Sequence, residues 1–280
     1  MDRQLLGSVG LMLVAMTLIP TGDAAGKVLT ASLGVAPGFV AFSRFVVGAA
    51  MFAALLGGRV DWRLYRDWRI WLRAALIAAG IASILTALRT EQFATVIGAF
   101  FIGPIVSYAL SVWLLGERVT PARTALLMLG FCGVLLVVRP GFGMTAGLGF
   151  ALLAGLFYGA FLTASRWLHA AAAPRQLMLS QTLLGTALLL PLGLLDLPAP
   201  SPATVALVLW SGVASATGNL LLVMAYRRTE AAQLAPFVYF QLVSALWLGW
   251  AVFGTLPDSL ALLGLAVIAL SGFGTLALRR

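Results

Sequence analysis

Residues 87–117 read ALRTEQFATVIGAFFIGPIVSYALSVWLLGE, and residues 225–255 read AYRRTEAAQLAPFVYFQLVSALWLGWAVFGT. The two align without gaps at an offset of 138, which brings Ala87 onto Ala225, Arg89 onto Arg227, Ala94 onto Ala232 and Gly116 onto Gly254. Earlier segments follow within one residue of that offset. Lys27 meets Arg166, Ala36-Pro37 meets Ala173-Pro174, Ser43 meets Ser180 and Gly48 meets Gly185. Arg44 then faces Gln181, a substitution that makes the two copies chemically unequal. Identity is low, so the repeat shows mainly in its spacing.

What the repeat is made of follows from composition. Of 280 residues, 61% are hydrophobic and only 10% charged, and the mean hydropathy is +1.03. A soluble domain carries about a quarter of its residues charged. Apolar runs near the roughly 20 residues that span a bilayer recur from end to end. The chain therefore reads as an all-α polytopic membrane protein. Ten runs are predicted as helices, at 5–26, 38–57, 70–88, 93–115, 121–138, 147–168, 175–195, 203–225, 231–253 and 259–278.

Alternating helix direction sorts the connectors by side. Fourteen of the 18 Lys and Arg fall on the side of the N-terminus: Arg3, the group Arg59, Arg63, Arg66, Arg69 and Arg73, then Arg118, Arg123, Arg166, Arg175, Arg227, Arg228, Arg279 and Arg280. Lys27, Arg89 and Arg139 fall on the other side, and Arg44 lies within a helix. Positive residues stay cytoplasmic, so both termini are predicted inside. Residues 1–141 and 142–280 then each hold five helices, an odd number, and the second copy must sit upside down. Inverted repeats of this kind build secondary transporters, with the substrate site near the midplane. Residues 1–24 resemble a signal peptide superficially, but their counterpart GLGFALLAGLFYGAFLTASR, 147–166, is internal. They read as helix one.

Several classes of function drop out. The net charge of +9 comes from short connectors rather than a basic domain, which argues against nucleic-acid binding. Cys132 is the single cysteine and His169 the single histidine, so a disulfide or a clustered metal site is not expected. No cofactor, metal or catalytic residue is expected, and an intramembrane enzyme lacks its constellation. A channel would show charge rings or filter loops, which are absent.

The stretch IGPIVSYALSVWLLGERVTPARTALLMLGFCGVLLVVRPG, 102–141, resembles the EamA family of the drug/metabolite transporter superfamily, with Pro104, Gly116-Glu117 and Arg139-Pro140-Gly141 where that family has them. The second copy departs, with Leu242 for the proline and Thr255 for the glutamate. DAAGK (23–27) and SRF (43–45) resemble a branch holding both exporters and uptake carriers. The resemblance implies a multi-pass transporter of the bacterial inner membrane, as monomer or homodimer. Its substrate would be a small polar or amphipathic metabolite moved by alternating access. Export of an amino acid or related compound is the leading expectation. The alternative is facilitative uptake of a vitamin or nucleoside-like compound, or, in a different class, a channel or non-transport membrane subunit.

Candidate pathway residues come from polar groups inside apolar runs. Asp23 and Lys27 lie four apart, on one helix face, beyond Pro20. They read either as an interfacial pair with Lys27 snorkelling outward, or as a gate beside a loosened helix. Arg44 lies about 10 Å into helix two, at about 1.5 Å per residue, and an intramembrane arginine needs a partner. Asp23 is the one carboxylate at that depth, so an Asp23–Arg44 bridge is expected, closing a gate or holding two helices together. Polar faces add Ser211, Ser215 and Asn219, then Ser83, Thr86 and Thr90, and then Ser107, Tyr108 and Ser111 with Tyr239, Gln241 and Ser244. Tyr158 and Trp250 are aromatic candidates. Glu91 and Glu117 read as gating or structural charges, Glu91 (like Glu230) at a helix start. Gly155-x-x-x-Gly159 reads as a close helix contact. Trp62, Trp68 and Trp71 with Arg59, Arg63, Arg66 and Arg69 read as an interfacial belt. Coupling stays open between proton antiport, through Asp23 first and Glu91 second, and facilitated diffusion.

Overall fold

The computed structural model describes residues 3–116, 121–138, 144–168, 171–228 and 237–277, with no strand among them. Its helices are α1 (Arg3–Lys27), continued by a π-helical turn over Val28–Ser32, α2 (Pro37–Leu55), α3 (Trp68–Thr90), α4 (Phe93–Phe100), α5 (Ile102–Leu115), α6 (Pro121–Val138), α7 (Ala146–Trp167), α8 (Pro174–Leu195), α9 (Pro202–Arg228), α10 (Phe240–Phe253) and α11 (Ser259–Ala277). Seven stretches are long and apolar enough to cross a membrane, α4 and α5 counting together, and three shorter apolar helices join them. This is an integral multi-pass membrane fold, and it turns large apolar side chains such as Trp113, Leu195 and Val243 outward. Water would oppose that exposure, whereas lipid does not.

Local chemistry sets most helix ends. Pro37 and Pro174 start α2 and α8, each preceded by an alanine in extended conformation, because proline's fixed φ suits the first turn and its missing N–H costs nothing there. Asp67 caps α3 by accepting from the Arg69 N–H, and Thr145 caps α7 by accepting from the Leu148 N–H at 3.1 Å. Gly116 and Gly254 close α5 and α10 at φ 65° and 64°, a left-handed conformation that glycine adopts without a Cβ clash.

Two expected helices differ from a single run. The segment 93–115 breaks at Phe101 (φ −67°, ψ 2°). Pro104 causes the break, since its ring displaces the carbonyl of Phe100 and it offers no N–H to the ladder. In the run at 231–253, Tyr239 forms a turn before α10, and residues 229–236 lie outside the described chain. Helix one also runs past the expected end at 26, through the π turn in which the Leu33 N–H donates to the Val28 carbonyl.

Four helix pairs carry the packing: α1 on α9, α3 on α7, α2 on α8 and α6 on α11. Glycines admit the closest approaches. A Cβ on Gly218 would sit 3.3 Å from the Ala15 carbonyl, and one on Gly80 3.6 Å from the Ala154 carbonyl. Gly48 faces Thr182 while Gly185 faces Phe45. Gly155 and Gly159 of α7 lie on the Phe100 and Gly103 carbonyls, the close contact expected of that spacing. The core between these pairs centres on Phe93, Val96, Ile97, Leu85 and Leu88, all buried.

Candidate functional site

At the junction of α1, α2 and α9, the Arg44 guanidinium is buried, 5% exposed, and fully engaged. Nη1 donates to Asp23 Oδ1 at 2.7 Å, Nη2 to the Gly22 carbonyl at 2.6 Å and Nε to Ser211 Oγ at 2.7 Å. Ser211 Oγ donates in turn to the Gly22 carbonyl at 2.9 Å. The pairing of Asp23 with Arg44 suggested by depth is therefore present. The glycines make room for it: a Cβ on Gly26 would collide with Arg44 Nη2, and one on Gly22 would sit 3.0 Å from the Ser211 carbonyl. Each charge in this knot has a partner, which is what a low-dielectric interior demands.

One turn beyond, Lys27 does not pair with Asp23. Its Nζ donates to the Leu88 carbonyl at 2.8 Å and to the Glu91 carbonyl, lying over the Phe253 ring at 5.5 Å. A cation here neutralises the carbonyl end of α3. Glu91 ends α3, and its Oε1 accepts from Thr145 Oγ1, the cap of α7. Glu91 thus flanks the start of α4, one residue before its cap Gln92, and also ties to a helix distant in sequence.

The opposite end of the bundle holds a group that sequence reasoning passed over. Arg73, counted with the connector charges, is 6% exposed inside α3. Its Nε donates to Ser165 Oγ at 2.8 Å, its Nη1 to the Leu177 carbonyl at 3.3 Å, and its Cζ lies 4.7 Å over the Phe161 ring. No carboxylate among the described residues pairs with it. Phe161 continues to Tyr158 at 6.0 Å and Tyr158 to Phe100 at 4.8 Å, an aromatic wall along α7. Gln181 is 6% exposed on α8, and its Oε1 has no partner among the described residues. A signal for this cluster was available in the expected repeat register, which would align Arg73 with Ser211, Phe161 with Gly22 and Ser165 with Gly26.

The other candidates scatter. Tyr239 contacts Phe101 at 5.5 Å and lines a small cleft with Pro104, Leu127 and Ser271. Gln241 and Ser83 are buried, 8% and 7% exposed. Thr86 Oγ1 donates back to the Ala82 carbonyl and Asn219 Nδ2 to the Ser215 carbonyl, each within its own helix. Ser215 meets α1 at Gly22. Trp250 is 59% exposed and does not join the buried groups. Nine residues after Gln241, it falls on the opposite face at about 100° per residue. Glu117 lies outside the described residues.

Comparison with known proteins adds four findings. Residues 145–277 match the EamA-like transporter family. The chain is similar to a riboflavin transporter of Rhizobium johnstonii, 30% identical over 220 residues, covering 75% of this chain and 70% of that one. It is also similar to a riboflavin transporter of Vibrio cholerae serotype O1, 28% identical over 207 residues, covering 72% of this chain and 65% of that one. A solved crystal structure shares the fold, with a TM-score of 0.63 at 18% identity over 95% of this chain and 96% of that one.

Proposed function

Because the chain belongs to the EamA-like transporter family, and so is a multi-pass transporter of the plasma membrane and not an enzyme, we propose that it takes up riboflavin or a close flavin analogue by facilitated alternating access. The observation that carries this reading is the pair of relatives named for riboflavin transport, each aligned over nearly three quarters of the chain. Amino-acid export, the leading expectation from sequence, has no such support and gives way to the vitamin-uptake alternative. The interior suits a flat, amphipathic molecule. The Phe100–Tyr158–Phe161 wall lines it with aromatic rings, and Ser83 adds a buried hydroxyl.

The proposed architecture is ten spans in two inverted repeats, 1–141 and 142–280, with both termini cytoplasmic. Support comes from contacts that occur in matched pairs. Ala15 with Gly218 corresponds to Ala154 with Gly80, and Gly48 with Thr182 corresponds to Gly185 with Phe45. In this orientation the Asp23–Arg44 knot lies toward the outside and Arg73 toward the cytoplasm. Facilitated diffusion is favoured over proton antiport because Asp23 already has a countercharge in Arg44 and needs no proton for neutrality.

The test is counterflow of radiolabelled riboflavin in proteoliposomes, with and without a pH gradient. Saturable counterflow that a pH gradient leaves unchanged is expected. Flux of amino acids without flux of riboflavin would overturn the proposal.

A further inference from the structure

Arg73 and Gln181 sit on different helices yet share a corner of the bundle. The Leu177 carbonyl that Arg73 reaches lies one turn before Gln181 on α8, and a helical side chain leans back over the turn that precedes it. Each group is incomplete in a complementary way. Arg73 uses Nε and Nη1, while its Nη2 has no bond among the described residues. Gln181 buries an acceptor, Oε1, to which no described residue donates. The Phe161 ring, which Arg73 covers, and the Tyr158 ring stacked beside it wall the corner with aromatic carbon. A buried amide oxygen left unpaired is costly, and a native protein keeps such a group where a ligand or water completes it.

The corner therefore asks for a planar molecule with a hydrogen-bond acceptor beside a donor on one edge. We propose that Arg73 and Gln181 form a specificity subsite for the imide edge of a pyrimidinedione ring: a ring carbonyl accepts from Arg73, and the adjacent imide N–H donates to Gln181 Oε1. This rests on the riboflavin reading above, since the isoalloxazine ring carries that edge, and it assigns the edge two residues. The same two positions explain the inequality of the repeats. In the outer half the arginine is on α2 and Asp23 closes its charge internally. In the inner half the arginine has moved to α3, glutamine stands at the α8 position, and the complement is left for the ligand.

The experiment compares counterflow of riboflavin with that of N3-methylriboflavin, whose methyl group removes the imide donor, in wild type and in Gln181→Leu. A ratio of kcat/KM values is read, so differing amounts of folded protein cancel. Wild type is expected to prefer riboflavin by about tenfold or more, the effect of one buried hydrogen bond lost with its partner stranded. Gln181→Leu is expected to bring the ratio near one while still carrying the methylated analogue. Gln181→Met, closer in shape, repeats the test if the leucine variant does not fold. Arg73→Lys keeps the charge but loses the planar fork, and is expected to raise KM for both compounds together. Riboflavin counterflow with an unchanged ratio in both Gln181 variants, or a wild-type ratio near one, would overturn the subsite alone. Absence of riboflavin counterflow in wild type would overturn the transport reading and the subsite with it.

Discussion

Phe101 and Tyr239 lie 138 residues apart, each forms the turn that interrupts an apolar helix, and their rings meet with centroids 5.5 Å apart. In the proposed repeat register they are corresponding positions, and their contact lies in the main hydrophobic core. A contact at such a point is where two halves that rock against each other would keep their alignment while their ends separate.

Removing one ring tests this. Tyr239→Ala is expected to slow counterflow by up to about tenfold, the scale of an aromatic pair worth about 0.5–1.5 kcal/mol. Tyr239→Phe keeps the ring and is expected to transport like wild type. Equal rates for wild type and Tyr239→Ala would show that the contact has no part in transport.

The Asp23–Arg44 pair is best probed by a double-mutant cycle followed through thermal unfolding in detergent. Asp23→Asn strands a buried guanidinium, and a loss of about 3–5 kcal/mol is expected from breaking such a pair on one side. Arg44→Gln should cost a similar amount, and the double variant should recover part of it because no charge is left alone. Additive losses would mean the two groups are not coupled.

Glu91 is held by Thr145 as a bridge between the end of α3 and the start of α7. Glutamine retains an acceptor oxygen there, so Glu91→Gln is expected to keep both transport and its insensitivity to a pH gradient. A gradient-driven flux present in wild type and lost in this variant would instead make Glu91 a coupling group.

Glycine contacts on α7 give a paired stability prediction. A methyl on Gly159 would press into the Gly103 carbonyl and Val106, and Gly159→Ala is expected to cost about 1–3 kcal/mol through overpacking. Gly149 meets only the tip of Met144, at 4.0 Å. Gly149→Ala should be neutral or stabilising by up to about 1 kcal/mol, since alanine is the better helix former. Melting temperatures shifting the same way in both variants would contradict the packing assigned here.

At the α3 end, hydrogen bonds from Arg69 to the Asp67 carboxylate hold its pKa below the usual range. A depressed folded value means the stabilisation is present above the unfolded value of about 3.9 and fades as pH falls through the folded one. Wild type should therefore exceed Asp67→Asn in melting temperature near neutral pH, with the gap closing in acid. A gap independent of pH would show that the carboxylate charge contributes nothing.

How much of this was legible in the sequence can be judged residue by residue. The apolar runs named the membrane class because only a bilayer tolerates that much outward-facing hydrocarbon. The Asp23–Arg44 pair was legible because a buried charge requires an opposite charge at its own depth, and few were available. The break at Phe101 had a covalent cause in Pro104. The break at Tyr239 did not, since Leu242 replaces that proline, and packing against Phe101 accompanies it instead. Arg73 misled for a related reason: five residues into α3, it shares its spacing with surface arginines, and only the approach of α7 and α8 buries it. The orphaned Gln181 oxygen was equally invisible, because whether a polar atom has a partner depends on atoms from other helices. The sequence by itself determined that this is a membrane-spanning transporter and which helices carry charge, because burial in lipid is priced residue by residue along the chain. Only the tertiary structure decided which polar groups find a partner among the described residues and which do not, because hydrogen bonds between helices depend on how those helices meet.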